Sequence, residues 1–353
     1  MFSAVRVAED STVLVSVIIV LYNDGAWLPR CLESLRQQTL ASRCEVIVAD
    51  NASTDDSAQI AQQLLAGWPG GRFLSTGGNV GFGPGNNRAA AVARGRYLYF
   101  INCDTWFEPD CLEQLYTAAE RRAAAAAGAT ILEYADDTLT ARGSDGMDLC
   151  GNPVAPRRDG VPDRLFCIAG FYFIRREVFA RIGQFDERYF MYGEELDLSW
   201  RLWACGEQVV YAGRARVHHR GAVGVNPDGG VKPRVHRTSE LKRYYANRNQ
   251  LLTIAKNAQH LLLGLLIPAV LLTCAEGVLT LAMTRRWQTF RRISLAPLAD
   301  FFRLLPQTLA ARRRLAAVRR HGDFWMLRFL RCRFGRMHEV QQILRKGFPR
   351  FDA

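Results

Sequence analysis

Three short runs of this chain carry side chains that could do chemistry together. The first is Phe185-Asp-Glu-Arg-Tyr-Phe-Met-Tyr-Gly-Glu-Glu-Leu-Asp-Leu-Ser-Trp-Arg201, which places Glu194, Glu195 and Asp197 just after Gly193. Acids in a first helical turn suit the helix dipole, so capping alone would account for them. The second run, Asn102-Cys-Asp-Thr105, ends an apolar stretch, and the third, His218-His219, ends another. Carboxylates, a histidine and a spare acid are what a divalent cation and a general base need. Asp197 is spaced to pair with Arg201 one turn further on, which reads as support for the helix.

The elements that must position these runs alternate along the first half. Ser16-Val-Ile-Ile-Val-Leu21 is β-branched and continuous, as in a strand covered on both faces. Trp27, Leu28, Cys31, Leu32 and Leu35 follow at helical spacing, and Glu45–Ala49 is a second strand ending at Asp50-Asn51. Ser53 or Thr54 can cap a helix with Ile60, Leu64 and Leu65 on its inner face. Arg72–Thr76 reads as a strand, 87–94 as a helix and Tyr97–Ile101 as a strand. This order predicts an α/β fold, an open and mostly parallel sheet flanked by helices. Ligands on such sheets sit beyond the carboxyl ends of the strands, where Asp50 and Asp104 both fall. Residues 133–165 read as long loops, Gly170–Ile174 and Gln208–Ala212 as strands, and Arg176–Ile182 as a short helix.

Charge divides the chain in two. Residues 1–230 hold 22 arginines, no lysine and 28 acids, a net of −6, whereas 231–353 hold 24 basic and 6 acidic residues, a net of +18. A basic, mainly helical C-terminal region over 231–353 is therefore expected to meet an anionic partner. Within it Leu241–Ala258 suits an amphipathic helix, and Leu261–Met283 is apolar apart from Thr273, Glu276 and Thr280. That run is long enough to cross a bilayer, but Pro268 and Glu276 favour a hairpin or an in-plane helix at least equally. Paired arginines at 285–286, 291–292 and 319–320, interleaved with Leu, Phe and Trp, suit an anionic membrane surface. No nucleic-acid motif accompanies them, so nucleic acid is not an expected partner. Nine cysteines without a CxxC pair argue against a thiolate zinc site and for a reducing compartment. Glu9 and Asp10 precede the first apolar run, where a signal peptide would carry positive charge.

Taken in order, six pieces of the chain resemble the inverting glycosyltransferases of family 2, with the GT-A fold, and among them the bacterial rhamnosyltransferase-like branch. They are Val17–Asn23, Val48-Ala-Asp-Asn-Ala-Ser-Thr-Asp55, Gly78-Asn-Val-Gly-Phe-Gly-Pro-Gly-Asn-Asn-Arg88, Asn102–Thr105, Gly183–Arg201 and Ala215–His219. The resemblance spans roughly 14–222, with a weaker extension to Arg243–Arg248. It implies a nucleotide-sugar-binding catalytic domain over 1–230 and a membrane-associated region over 231–353. Asp50 would then bind the ring N–H of uracil or thymine in a UDP- or dTDP-sugar, with Tyr22, Asn23 and Asn51 beside it. The loop bearing Asn79, Gly81 and Phe82 would let backbone approach the nucleotide, and Asn86, Asn87 and Arg88 would meet it at a helix start.

By the same resemblance Asp104 is the metal-binding aspartate, for Mg²⁺ or Mn²⁺, with His218 or His219 as a further ligand. Asn102 stands where a full Asp-x-Asp motif would have an acid, and is expected near the donor. Glu195 occupies the position of the base, with Glu194 as its rival; a Glu in place of Asp moves the carboxylate by about 1.5 Å. The implied activity is sugar transfer, L-rhamnose from dTDP-rhamnose being the candidate donor, to a lipid-linked or cell-surface polysaccharide acceptor at the cytoplasmic face of the membrane. A processive synthase is the closest rival, but several spanning helices and a Gln-x-x-Arg-Trp motif are missing. A non-catalytic nucleotide-sugar-binding scaffold is the other, suggested by Asn102 and Glu195. A dinucleotide oxidoreductase is disfavoured because no GxGxxG follows the first strand.

Overall fold

The structure is a computed structural model that describes residues 13–157, 160, 163–221 and 237–352; Glu9, Asp10 and the expected boundary at 230/231 lie outside them. Strands β1 (Val15–Leu21), β2 (Cys44–Asp50), β3 (Gly71–Ser75) and β4 (Tyr97–Ile101) alternate with helices α1 (Leu28–Arg36), α2 (Ser57–Ala66) and α3 (Phe82–Val92). Then come β5 (Thr105–Phe107), α4 (Cys111–Arg121), β6 (Ala126–Glu133), β7 (Leu139–Ala141), and the two-residue strands β8 (Gly146–Met147) and β9 (Pro153–Val154). Strand β10 (Tyr172–Arg175), α5 (Arg176–Arg181), α6 (Glu194–Ala204) and β11 (Val209–His219) complete this half.

The main sheet runs β3-β2-β1-β4-β10-β6-β11-β5, with β7 paired to β6. Strands β3, β2, β1 and β4 are parallel, and register sets Leu21 beside Asp50, Asp50 beside Ser75, and Ile19 beside Ile101. The carboxyl ends of β1, β2 and β4 thus form one rim, as α/β topology requires of a ligand site. Strand β10 is antiparallel to both neighbours and β5 is antiparallel to β11, so the sheet is mixed toward that edge.

Residue parity sorts the core into two layers. Ile18, Ile47 and Phe100 pack on one face with Trp200 of α6, while Val17, Ile19 and Val48 pack on the other with Leu32 of α1 and Leu115 of α4. The first layer continues into the C-terminal region, through Leu251 and Ile254 of α7 (Glu240–Asn257), past α8 (Leu266–Thr284) and α9 (Trp287–Phe290), to Phe301 and Leu315 of α10 (Ala296–Ala316). Helices α11 (Asp323–Met326) and α12 (Met337–Lys346) follow, and β12 (Arg237–Ser239) pairs in parallel with β13 (Arg350–Asp352).

Helix α3 begins at Phe82, earlier than residue 87 where the pattern placed it. Gly81 makes this possible: its φ is +91°, and a Cβ there would lie 2.4 Å from the Phe190 carbonyl oxygen. That carbonyl accepts the Phe82 N–H at 2.7 Å, which ties the start of α3 to the loop before α6.

Helix α7 holds that same loop from the other side. Asn249 donates to the carbonyls of Met191 (2.9 Å) and Tyr192 (2.7 Å), and Arg248 donates to that of Arg188 (2.8 Å). Beneath α6, Asp197 pairs with Arg201 at 2.7 Å and with Lys256 at 2.7 Å, and Lys256 reaches Asp186 at 2.5 Å. Removing one partner of a buried ion network leaves an uncompensated charge, whereas an exposed pair contributes little. Lys256→Met is therefore expected to lower unfolding free energy by about 3 kcal/mol in urea titrations, and Arg303→Ala, at the exposed Asp300 pair, by under about 1 kcal/mol. Equal losses would show that the Lys256 network does not hold α6.

Candidate active site

The expected donor-side residues fall at the ends of β1 and β2, on the loop after β3 and along α3. Tyr22 is exposed at the end of β1. Asn23, in the left-handed region at φ 55°, accepts the Thr54 N–H at 2.8 Å and braces the β2–α2 loop. That loop ends on Asp55, rather than Ser53 or Thr54, whose Oδ1 accepts the Ser57 N–H at 3.0 Å as α2 begins. Among the described residues the Asp50 carboxylate accepts the Ser53 N–H alone, at 3.2 and 3.3 Å to its two oxygens, which leaves acceptor capacity for a ligand. Asn51 is buried and internal: it donates to the Gly81 carbonyl at 3.0 Å and accepts from Thr76 at 3.0 Å. Asn79 accepts the Gly81 N–H at 3.2 Å.

Further along α3, Asn87 clasps the backbone of Phe185, donating to its carbonyl at 2.9 Å and accepting its N–H at 3.1 Å. Arg88 donates to the Thr76 carbonyl. These side chains hold the loop before α6 and the end of β3. Asn86 donates to the Phe82 carbonyl at 2.9 Å, and its buried Oδ1 has no protein partner.

The metal side lies after β4. Asp104 sits 3.3 Å from His219 Nε2 and accepts the Gly221 N–H at 3.1 Å, while Asn102 Nδ2 is 3.4 Å from the same imidazole nitrogen. Burial alone would raise the Asp104 pKa, but the His219 and Gly221 hydrogen bonds outweigh it and hold the carboxyl below its usual value. Asp24 shifts the opposite way, upward, through burial and the nearby Asp104 and Asp55 charges, with Arg220 opposing. A cluster of carboxylates and an imidazole is a donor set that a divalent cation satisfies. His218 does not join it. As the neighbour of His219 on a strand it points to the opposite face, where its Nε2 meets Glu108 at 3.1 Å. Glu108, Asp137 and His218 form a group with ligand atoms within 4.8 Å of one another.

Glu195 lines a cavity of about 500 Å³ together with Gly170, Tyr192, Lys242, Arg243 and Arg336. Burial pushes its carboxyl up to about 7. Glu194 is more deeply buried, with Oε2 lacking a hydrogen-bond partner; burial and the Glu195 charge push it well above the usual range. Of the two glutamates, Glu195 is the one that lines the cavity. Phe171, next to Gly170, packs edge-on against His219 with ring centres 4.9 Å apart, which links the cavity to the Asp104 cluster. Sequence reasoning missed Asp24, Arg220, Lys242 and Arg336. The first two directly follow motif residues, at the end of β1 and after the histidine pair; the last two carried no signal beyond a basic tail.

Comparisons with known proteins bear on the family and the fold. The family model for glycosyl transferase family 2 matches residues 16–183. An N-acetylglucosaminyl-diphospho-decaprenol L-rhamnosyltransferase of Mycobacterium tuberculosis is 30% identical over 258 residues, covering 65% of this chain and 83% of that protein. An O-antigen biosynthesis protein of Myxococcus xanthus is 29% identical over 234 residues, 62% of this chain but 18% of that protein. Among solved structures, S. aureus TarS 1–349 in complex with UDP superposes with a TM-score of 0.56 at 14% identity, covering 96% of this chain and 94% of that one. GalNAc-T7 with UDP, GalNAc and Mn²⁺ gives 0.57 at 16% identity, covering 86% and 57%. The sheet and its flanking helices are those of the GT-A fold.

The raised Glu195 value has a signed consequence. Its unfolded carboxyl ionises near 4.5 and its folded one near 7, so stability falls as pH rises between these values and is level above. Glu195→Gln removes that loss. The variant should melt above wild type at pH 8, with the gap closing toward pH 4.5; a gap independent of pH would contradict the assignment.

Proposed function

This chain belongs to glycosyltransferase family 2, and on that footing we propose that it transfers a sugar from a dTDP- or UDP-sugar to a lipid-linked glycan with inversion at C1, L-rhamnose from dTDP-rhamnose being the favoured donor. The observation that carries the reading is Glu195: a carboxylate at the mouth of a cavity, titrating near 7, joined through Phe171 to the Asp104–His219 cluster. The donor's base would lie at the rim of β1 and β2, with Asp50 accepting its ring N–H and Tyr22 beside it. Asp104 and His219 would hold Mg²⁺ or Mn²⁺, which when bound neutralises the diphosphate. Asp24 and Arg220 adjoin that place, and the Arg220 guanidinium, 4.0 Å from the Trp27 ring centre, supplies positive charge there.

Glu195 takes the proton of the acceptor hydroxyl as that oxygen bonds to C1 and the bond from C1 to the diphosphate breaks. A carboxyl near 7 is matched to this task, since a base must be ionised at working pH yet retain proton affinity. Glu194, more deeply buried and absent from the residues lining the cavity, is the weaker candidate for the base. The cavity around Glu195 is lined by Lys242, Arg243 and Arg336, which suits an anionic acceptor such as a polyprenyl diphosphate. The rhamnosyltransferase relative, whose name carries a diphospho-decaprenol acceptor, supports the same class.

Assays of the full chain with a panel of nucleotide sugars and Mn²⁺ or Mg²⁺ test this reading. Glu195→Gln should lower turnover by at least about 100-fold, the usual worth of a general base, with calorimetric affinity for dTDP or UDP unchanged. No turnover with any donor, or full activity of the variant, would remove the proposal.

The outer face of α8 supports a peripheral membrane location at the cytoplasmic leaflet. Ile267, Leu271, Val278, Leu279 and Met283 are exposed along it, and Arg285, Arg286 and Arg291 follow at its end. Apolar side chains rimmed by arginine suit an anionic interface. The protein should co-sediment with phosphatidylglycerol vesicles and not with phosphatidylcholine ones, and Leu271→Asp with Leu279→Asp should abolish this. Binding that survives both changes would place the contact elsewhere.

A further inference from the structure

His218 is an imidazole prepared for a ligand that the transfer reaction does not use. Its ring stacks on Trp106 with centres 3.6 Å apart and planes 6° apart, and Trp106 is itself fixed by donating to the Tyr134 carbonyl at 2.9 Å. His218 Nδ1 lies 3.0 Å from the Glu133 carbonyl oxygen, an acceptor, so Nδ1 carries the proton. The other ring nitrogen, Nε2, meets the Glu108 carboxylate, and the side chain is 2% exposed. Nε2 is aimed at Glu108 (3.1 Å) and Asp137 (3.9 Å), whose side chains are 32% and 76% exposed.

This is the arrangement that metal-ligating histidines show: one nitrogen donates to a backbone carbonyl, which fixes the tautomer and turns the other toward the cation. Ligands on one ion at about 2.0–2.2 Å stand roughly 3.0–3.5 Å apart. The Glu108 distance already fits, and the exposed Asp137 stands 3.9 Å from Nε2, with all the ligand atoms within 4.8 Å of one another. Arg30 lies 4.9 Å from the Trp106 ring centre, over the ring.

The geometry points to a second divalent-cation site, formed by Glu108, Asp137 and His218, of the imidazole-and-carboxylate class that takes Zn²⁺. It is separate from the Asp104–His219 cluster. Its ligands come from three places: just after β5, the turn between β6 and β7, and the last turn of β11. A cation here fastens the β6–β7 turn to the paired strands β5 and β11, and two of its three positions stay open to water.

The test uses the metal-stripped full chain carrying Asp104→Asn and Cys332→Ser, which remove the catalytic cluster and the exposed thiol as competing zinc ligands. Zinc is titrated against a chromophoric chelator, and melting is followed with and without it. We expect one tight equivalent of Zn²⁺ and a raised melting temperature in this parent. Adding Asp137→Asn, on an exposed side chain the fold does not need, should weaken binding at least tenfold and cancel the rise, and Glu108→Gln should do likewise. A parent that binds no zinc tightly would show that Glu108 and His218 form a simple ion pair. Unchanged affinity in both variants would place the zinc elsewhere. Either result overturns the site.

Discussion

Two aspartates beneath α6 decide where Glu195 stands. Asp186 and Asp197 share Arg188, Arg201 and Lys256, all largely out of water, and Asn257 adds a hydrogen bond to Asp197 at 2.8 Å. Burial would raise both carboxyls, yet the paired cations bring each below its usual value. Three and two residues before Asp197 on the same helix, Glu194 and Glu195 undergo burial without an ion pair among the described residues, and their values rise. The opposite shifts within a single helix arise from where the positive charges are placed. Because Lys256 and Asn257 belong to α7, the C-terminal region is part of the site's construction, and its first long helix is as necessary to α6 as the sheet is.

A comparable division of labour runs across β5 and β11. Pairing sets Thr105 beside His219 and Trp106 beside His218. Alternation then sends His219 toward Asp104, Asn102 and Phe171, and His218 toward Trp106, Glu108 and Glu133. One short antiparallel ladder therefore carries two chemically distinct clusters on its two faces. Anything that shifts its register by one residue would exchange them, so order on the Glu108 side bears on alignment at Asp104.

What could be read from the sequence follows from how locally each feature is determined. Strands β1, β2 and β4 were legible because β-branched runs buried on both faces have little else they can form. Strand β6 was not: it opens on Ala126-Ala127, the end of an alanine run of strong helix formers, and is a strand because β10 and β11 flank it in the sheet. The ordered motifs located the rim, Asp104 and the acidic helix start. They could not separate ligand-facing from scaffolding residues inside a motif. Asn87 and Arg88 sit where a donor contact was expected, but their partners, Phe185 and Thr76, are fixed by packing between distant segments. His218 and His219 were indistinguishable in sequence for the same reason, since parity is known only once the strand has neighbours.

Helix α8 shows why length and hydropathy alone do not settle the role of an apolar segment. Leu261–Thr284 is long and apolar enough to cross a bilayer. Its residues are nonetheless sorted: Ala269, Thr273, Gly277 and Thr280 form a buried stripe, and Gly277 approaches Ser294 so closely that a Cβ would lie 1.9 Å from its hydroxyl oxygen. Glu276, the residue hardest to place in lipid, pairs with Arg243 at 3.2 Å and Arg336 at 2.9 Å. A helix so fastened on one side can offer a membrane only its other side, which fits an in-plane position better than a spanning one. The two arginines that neutralise Glu276 also line the cavity at Glu195. The exposed apolar face of α8 and the cavity that Glu195 lines are thus joined through one carboxylate.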